Sequence, residues 1–478
     1  MTVSPPEHRE YAEAPELLQG WGGTSPSRSI VWHPHDADEV AQRLHAPHDG
    51  TSTESEDDVD ADPMPRGVVA RGLGRSYGDA AQNAGGHVLA ATALDRVLEL
   101  DADAGTVRCE AGASLEMLLH LLVPLGWFPT VVPGTRQVTI GGAIASDVHG
   151  KFRHGSFCDY VEQAVLVTPA HGPITISATE HADAFWATAG GMGLTGTVTE
   201  ATLRLHPIET SAMVVDTVRC ADVDECMAAM VEGDGPYRYS VAWIDCLAKG
   251  RALGRSILER GNHARVDDLP ARHRGKPLAY PSPFQPVVPF TPPSGLLNPL
   301  TIKALNELWF RKSPAHPHHG VRSIPSFFHP LDNIVGWNRV YGTRGFVQYQ
   351  PVVPYGQEAV IRRMLEQLAV HGLASFVSVL KRFEGANAGH LSFPAPGWTL
   401  ALDIPVGDPE LAPLLDRFDE WVLEAGGRVY LAKDARVSPE HFAAMYPRLD
   451  EWRAVRNRLD PNGLLNSDLA RRLHMLEK

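Results

Sequence analysis

Three stretches of small residues constrain this chain more than anything else in it. They are Arg71-Gly72-Leu73-Gly74-Arg75-Ser76-Tyr77-Gly78-Asp79, Pro133-Gly134-Thr135-Arg136-Gln137-Val138-Thr139-Ile140-Gly141-Gly142-Ala143-Ile144-Ala145 and Gly190-Gly191-Met192-Gly193-Leu194-Thr195-Gly196. Glycine reaches backbone conformations closed to other residues and lets the main chain approach a ligand closely. One such stretch is a turn. Three within about 130 residues, spaced by hairpin elements, predict loops laid along a single extended ligand. The first follows a short apolar strand, Gly67–Arg71, which invites a dinucleotide-fold reading, but that pattern fails. Its third glycine falls one place late, no helix follows, and no acid closes a second strand. What remains is a turn whose amides can form an anion nest, or simply a tight structural turn.

The chain has 478 residues, too long for one ordinary domain. Forty-three basic against 57 acidic residues leave a net charge of −14, a poor balance for binding nucleic acid through its phosphates. No apolar run is long enough for a membrane-spanning helix, and Met1–Glu16 lacks the apolar core of a signal peptide. Five cysteines without a CxxC pair read as reduced core thiols, with no metal site. Residues 46–65 hold six acids between Glu54 and Asp62 and read as a solvated loop insertion, with an acidic docking segment as the alternative. His316-Pro317-His318-His319 has no nearby acidic partner and reads as a surface loop.

Elsewhere, the residues predict a hairpin from Val97–Leu100 and Thr106–Ala111 and a helix capped by Ser114. Thr197–Leu205 alternates like a half-buried strand. Beyond Ala212, strands at Tyr237–Asp245, Phe346–Val353, Phe376–Phe383 and Trp398–Ile404 predict an antiparallel sheet. One helix spans Gln357–Val370, and a second starts at Asp408-Pro409 and stops at Gly426. Asp267–Pro299 is proline-rich and reads as a long mobile loop.

In this order the three glycine-rich segments resemble the flavin-binding domain of the vanillyl-alcohol oxidase type. Within that group the chain is similar to the oxidase subunits of decaprenylphosphoryl-β-D-ribose 2′-epimerases. The likeness runs through Glu307-Leu308-Trp309-Phe310-Arg311-Lys312-Ser313, Trp337-Asn338-Arg339, Gln348-Tyr349-Gln350 and Leu391-Ser392-Phe393-Pro394. It continues through Tyr430-Leu431-Ala432-Lys433-Asp434 and Ser467-Asp468-Leu469-Ala470-Arg471-Arg472-Leu473. The resemblance implies an α+β, two-domain flavoprotein. An FAD-binding α+β domain would cover residues 8–209 and be completed by 427–478, with an antiparallel-sheet substrate domain inserted over 210–426. Many relatives bond FAD to a histidine in the first loop. Here the matching position is Tyr77, so FAD is expected to be non-covalent.

The reaction implied is removal of hydride from the 2′ carbon of a lipid-phosphoryl ribose. It needs a cation beside the reduced flavin and an acceptor for the hydroxyl proton. Lys433 matches the family's active-site lysine; the bland alternative is a solvated pair with Asp434. His149 is the second catalytic candidate, and a buried core histidine is its alternative. Cofactor contacts are expected from Arg71 to Gly78, from Pro133, Gly134, Thr135, Gln137, Thr139, Gly141, Gly142, Ala145 and His149, and from Gly193, Gly196 and Tyr430. Substrate contacts are expected from Trp243, Gln348, Gln350, Lys381 and Phe383, and from Thr399 and Ala401. Close relatives carry Asn and Cys at those last two positions, so inhibitors that capture the thiol should fail here.

The partners implied are a quinone-type electron acceptor, a separate keto-reductase and a peripheral contact with either face of the plasma membrane. Two other readings stay open: an alditol or aldonolactone oxidase acting on a free sugar or polyol, and a non-catalytic flavin-binding partner protein.

Overall fold

The computed structural model describes residues 14–45, 66–282 and 285–477. The acidic stretch 46–65 lies outside them, as do residues 1–13. The described strands form three sheets. The first runs in the order Glu16–Leu18, Ser27–Trp32, His87–Ala90, Val68–Arg71, the last three parallel. Val69, Val88 and Leu89 are fully buried in it, as short apolar runs in a parallel sheet should be. The second sheet contains the expected hairpin, Val97–Asp101 with Thr106–Glu110, beside a long central strand, Thr197–Pro207. There Ala201 and Leu203 are buried while Arg204 is exposed, the predicted alternation. Ser114 Oγ accepts from the Met117 amide at 3.1 Å and caps the helix Leu115–Leu122.

The third sheet is antiparallel with nine strands. Tyr239–Ile244, Ser378–Phe383 and Gly397–Pro405 lie at its centre, close to their expected bounds. The strand expected over Phe346–Val353 is two, Phe346–Tyr349 and Pro351–Pro354, both paired with Gly397–Pro405. The break falls at Gln350, just before Pro351, which has no N–H for the ladder. Helices Val223–Gly233, Glu358–His371 and Leu411–Glu424 cover one face. They bury Met230, Ile361, Leu365, Leu368, Leu414 and Phe418, each side chain contributing about 1.5–3 kcal/mol of transfer free energy. The opposite face is left for the site.

Four local differences from the sequence reading have plain causes. Asp408 does not cap the second helix, which begins at Leu411; its Oδ1 accepts from the Glu410 amide at 2.9 Å and closes a turn ahead of it. The imidazole-rich run is partly an edge strand, His318–Ser323, and His319 Nδ1 lies 2.8 Å from Asp216 Oδ1 on the next strand. That acidic partner is remote in sequence. The described residues of 267–298 carry short turns and an isolated bridge, but the helix Pro299–Lys312 follows them, capped by Asn298 on the amides of Leu300 and Thr301. Finally, Arg428–Val429 pairs with Pro351–Pro354, so the large sheet ends just beyond Gly426.

The end of the chain returns to the first sheet. Leu465 bridges Val68, and the Asp468 carboxylate accepts from Ser27 Oγ and the Ala84 amide. All five cysteines are buried and unbridged.

Candidate active site

A cavity of about 1120 Å³ separates the glycine-rich loops from the uncovered face of the large sheet. Ligand pockets commonly span about 300–1,000 Å³, so this one has room for more than one small molecule. Its two walls are made differently.

The loop wall is mostly main chain. The amides of Leu73, Gly74, Arg75 and Ser76 donate to no protein group among the described residues, and the segment lines the cavity. Successive unpaired amides in a glycine turn make an anion-binding concavity. A Cβ on Gly134 or Gly193 would meet nothing within 4 Å, because both face open space. Gly72 and Gly141 are needed for another reason: a Cβ would strike Thr139 Oγ1 at 2.1 Å, or Ala111 Cβ at 3.1 Å. Thr139 Oγ1 in turn accepts from the Gly142 amide and starts the helix Ile140–Ala145. Thr135 Oγ1 accepts from the Gln137 amide, and Arg75 Nε donates to the Gln137 carbonyl at 3.0 Å, tying the first loop to the second. An elongated ligand with an anionic centre, as FAD is, fits this arrangement of open glycines and free amides.

The sheet wall is made of side chains. Trp243, Gln348, Gln350, Lys381, Ala401 and Asp403 point into the cavity from neighbouring strands. Lys433 arrives from the turn after Val429. That turn is clipped to the first glycine loop, since the Tyr77 amide donates to Ala432 O at 3.0 Å. Gly78 abuts the Asp434 carbonyl so closely that a Cβ would lie 2.0 Å from it. The clip sets Lys433 Nζ 3.8 Å above the Tyr77 ring. Lys433 is not paired with Asp434, whose carboxylate takes Arg472 at 2.9 Å. Neither the Lys433 nor the Lys381 ammonium makes a hydrogen bond or ion pair among the described residues.

The electrostatics follow from burial. It pushes the Lys381 ammonium down to about 8. Burial and Lys381 together lower Lys433, opposed by Asp403. Asp403 is raised by burial; Gln348 Nε2 donates to its Oδ1, while Oδ2 has no partner. The wall therefore holds two lysines that can exchange protons near neutral pH and one buried carboxylate with a free Oδ2.

His149 is both things its sequence allowed, a cavity residue and a buried, hydrogen-bonded one. Only 5% exposed, it is boxed by the rings of Phe383, Phe393 and Tyr430 at 4.9–5.2 Å. Gln350 Nε2 lies 2.7 Å from its Nε2, and its Nδ1 has no partner. Burial and the two lysines hold the imidazole neutral. It is aimed by Asp147, a left-handed residue at φ 40°. Four donors hold that conformation: Ser156 Oγ, the Cys158 amide, Asn387 Nδ2 and Ser392 Oγ. Tyr430 closes the box by donating to Ser146 O at 2.9 Å.

Of the residues singled out from sequence, three stand behind the cavity rather than on it: Gly78, Phe383 and Thr399. Thr399 is fully buried and its Oγ1 accepts from Gln350 Nε2 at 3.1 Å, so it orients a wall residue from behind. Phe383 supports the His149 ring. The other candidates line the cavity. The sequence reading missed Asp403, although it lies in phase with Thr399 and Ala401 on one strand. It also missed Lys151, two places after His149, whose Nζ donates to Phe327 O and whose ammonium burial pushes down to about 8.

Comparison with known proteins agrees with this geometry. Residues 61–177 match a family described as the FAD binding domain, and residues 405–473 match one described as D-arabinono-1,4-lactone oxidase. A decaprenylphosphoryl-β-D-ribose oxidase from Mycolicibacterium smegmatis is 40% identical over 98% of this chain and 99% of its own length. Shorter similarities reach a rice cytokinin dehydrogenase 4, 32% identical over 30% of this chain and 28% of its own. A Brassica oleracea L-galactono-1,4-lactone dehydrogenase is 31% identical over 23% of this chain and 19% of its own.

Proposed function

The chain belongs to the decaprenylphosphoryl-β-D-ribose oxidase family, and from that premise we propose that it oxidises the 2′-hydroxyl of decaprenylphosphoryl-β-D-ribose to the 2′-ketone with FAD. The observation that carries the reading is the meeting of an open glycine-lined cradle with an unpaired, buried lysine across one cavity. FAD bound along the loop wall supplies the hydride acceptor. Residues 8–209 and 427–478 form the FAD-binding part and 210–426 the substrate part, except that Arg428–Val429 stays in the large sheet of the substrate part. The return of Leu465 and Asp468 to the first sheet supports that division.

The chain's own groups divide the remaining work. Lys433 takes the proton of the substrate hydroxyl: burial lowers its pKa, so a neutral amine exists near neutral pH. Asp403 sets how readily it does so, since its charge raises the Lys433 pKa. Lys381, unpaired on the same wall, holds the substrate phosphate. His149, neutral and fixed by Gln350, presents Nδ1 as a donor.

FAD is held without a covalent bond, because Tyr77 fills the loop position and its own ring is covered by Lys433. Denatured protein should release its yellow colour. A quinone reoxidises the flavin, a separate reductase consumes the ketone, and the enzyme works at a membrane face, where its lipid-linked substrate resides. No helix among the described residues is long and apolar enough to cross a membrane, so this contact would be peripheral.

The match of residues 405–473 to a lactone oxidase family favours a second reading, oxidation of a free sugar or lactone. The whole-length likeness outweighs it. Anaerobic titration separates the two: decaprenylphosphoryl ribose should bleach the flavin, and xylitol or a sugar lactone should not.

A further inference from the structure

A helix on the surface of a protein normally buries its apolar stripe and shows its polar one. The helix Pro299–Lys312 instead shows much of its apolar surface and buries polar groups. Its buried positions are Ile302 and the polar Asn306, whose Nδ2 donates to Asp245 Oδ1 at 2.7 Å. Glu307 pairs inward with Arg255 at 2.6 Å, and the guanidiniums of Arg219 and Arg255 both lie over the Phe310 ring. Meanwhile Leu300 is 80% exposed, Leu308 66% and Trp309 54%. The inversion is fastened in place by those inward polar bonds.

The exposed residues connect with the cavity. Leu305, Leu308 and Trp309 line its mouth, and so do Ile334 and Val335 from across the opening. Val335 bridges Val287, and Thr301 Oγ1 donates to Leu296 O, so Val287 and Leu296 extend the apolar rim on both sides. Charge agrees as well. The helix carries Lys303, Arg311 and Lys312 exposed, against one acid, Glu307, already held by two arginines. This is a basic, tryptophan-bearing spot on a chain of net charge −14. Exposed Leu and Trp edged by Lys and Arg are the composition of a helix lying in a bilayer interface.

We propose that the outward face of the helix Pro299–Lys312, together with Leu296, Val287 and Val335, docks on an anionic lipid bilayer and sets the cavity mouth against it. The inference rests on the reading of the substrate as lipid-linked: a prenyl tail can then pass from the bilayer into the mouth without crossing water. Leu296 and Leu300 are exposed and do not line the cavity, so a Leu296→Glu/Leu300→Glu double variant should fold and keep its active site.

The test is flotation of the FAD-loaded protein with vesicles of phosphatidylcholine alone or mixed with phosphatidylglycerol. Wild type should float with the mixed vesicles, and the double variant should partition about 10-fold more weakly. Flavin reduction by a short-chain, water-soluble prenylphosphoryl ribose should stay within about twofold of wild type, as surface changes away from the site allow. The proposal is overturned if wild type stays in solution with both vesicles, or if the double variant floats equally well. It is also overturned if the wild type is a dimer that the double variant breaks, since a second copy would then cover the face. If vesicles bind as predicted while no lipid-phosphoryl ribose reduces the flavin, the docking surface stands and the proposed activity falls.

Discussion

The two walls of the cavity are built on opposite principles. On the loop wall the functional groups are backbone amides, and Gly134 and Gly193 leave space where side chains would stand. On the sheet wall the functional groups are side chains, held buried and partly unpaired: Lys433, Lys381, Asp403 and His149. Added volume should therefore damage the first wall, and altered charge the second. One wall binds and the other reacts, and substitutions should separate these effects.

The largest expected effect is on the reacting wall. Lys433→Met should keep bound FAD but slow flavin reduction by about 100-fold or more, the usual loss when a general acid–base group is removed. Stopped-flow reduction with flavin content measured in the same sample checks it, and loss of FAD would blur the contrast. On the binding wall, Gly134→Ile adds a side chain to open space at an ordinary φ, so the protein should fold and its FAD occupancy should fall about 10-fold. Gly235→Ala, also facing open space but outside the cavity, is the matched control.

Next in size is a pH effect. The Asp403 charge raises the Lys433 pKa, so Asp403→Asn should lower it. If the neutral amine accepts the proton, the acid limb of the kcat profile moves to lower pH; a shift upward would contradict the assignment. Lys381 loses its charge as pH rises through about 8, so KM for the phosphate-bearing substrate should climb above that pH, and Lys381→Met should flatten the climb. The smallest effect belongs to a residue behind the wall. Thr399→Ala removes one hydrogen bond to Gln350, worth about 1 kcal/mol, and should reduce kcat/KM about fivefold or less with FAD retained.

The contrast between the walls also explains what could be read without a structure. The loop wall is local: runs of glycine and small residues announce themselves, and the sequence reading found those loops. The strands of the large sheet were legible too, because alternation is a local signal, and Gln348 and Gln350 fell on one face as expected. The sheet wall's electrostatics were not legible. That Asp434 would pair with Arg472 and leave Lys433 unpaired depends on a contact made by the last residues of the chain. His319 finding Asp216 is the same kind of event, a partner brought by a neighbouring strand. The helix Pro299–Lys312 escaped notice because its inward face mixes Ile302 and Phe310 with Asn306 and Glu307 while Leu300, Leu308 and Trp309 face out, so periodicity gave no sign of a normal surface helix. Its cap, Asn298 before Pro299, was the signal available.

The most direct test of the proposed reaction is the absorbance spectrum of the purified protein before and after anaerobic addition of decaprenylphosphoryl-β-D-ribose. The bound-flavin spectrum should bleach with this substrate, far more slowly in Lys433→Met, and not at all with xylitol. A flavin spectrum left unchanged by the lipid-linked ribose, or bleached as readily by xylitol, would contradict it.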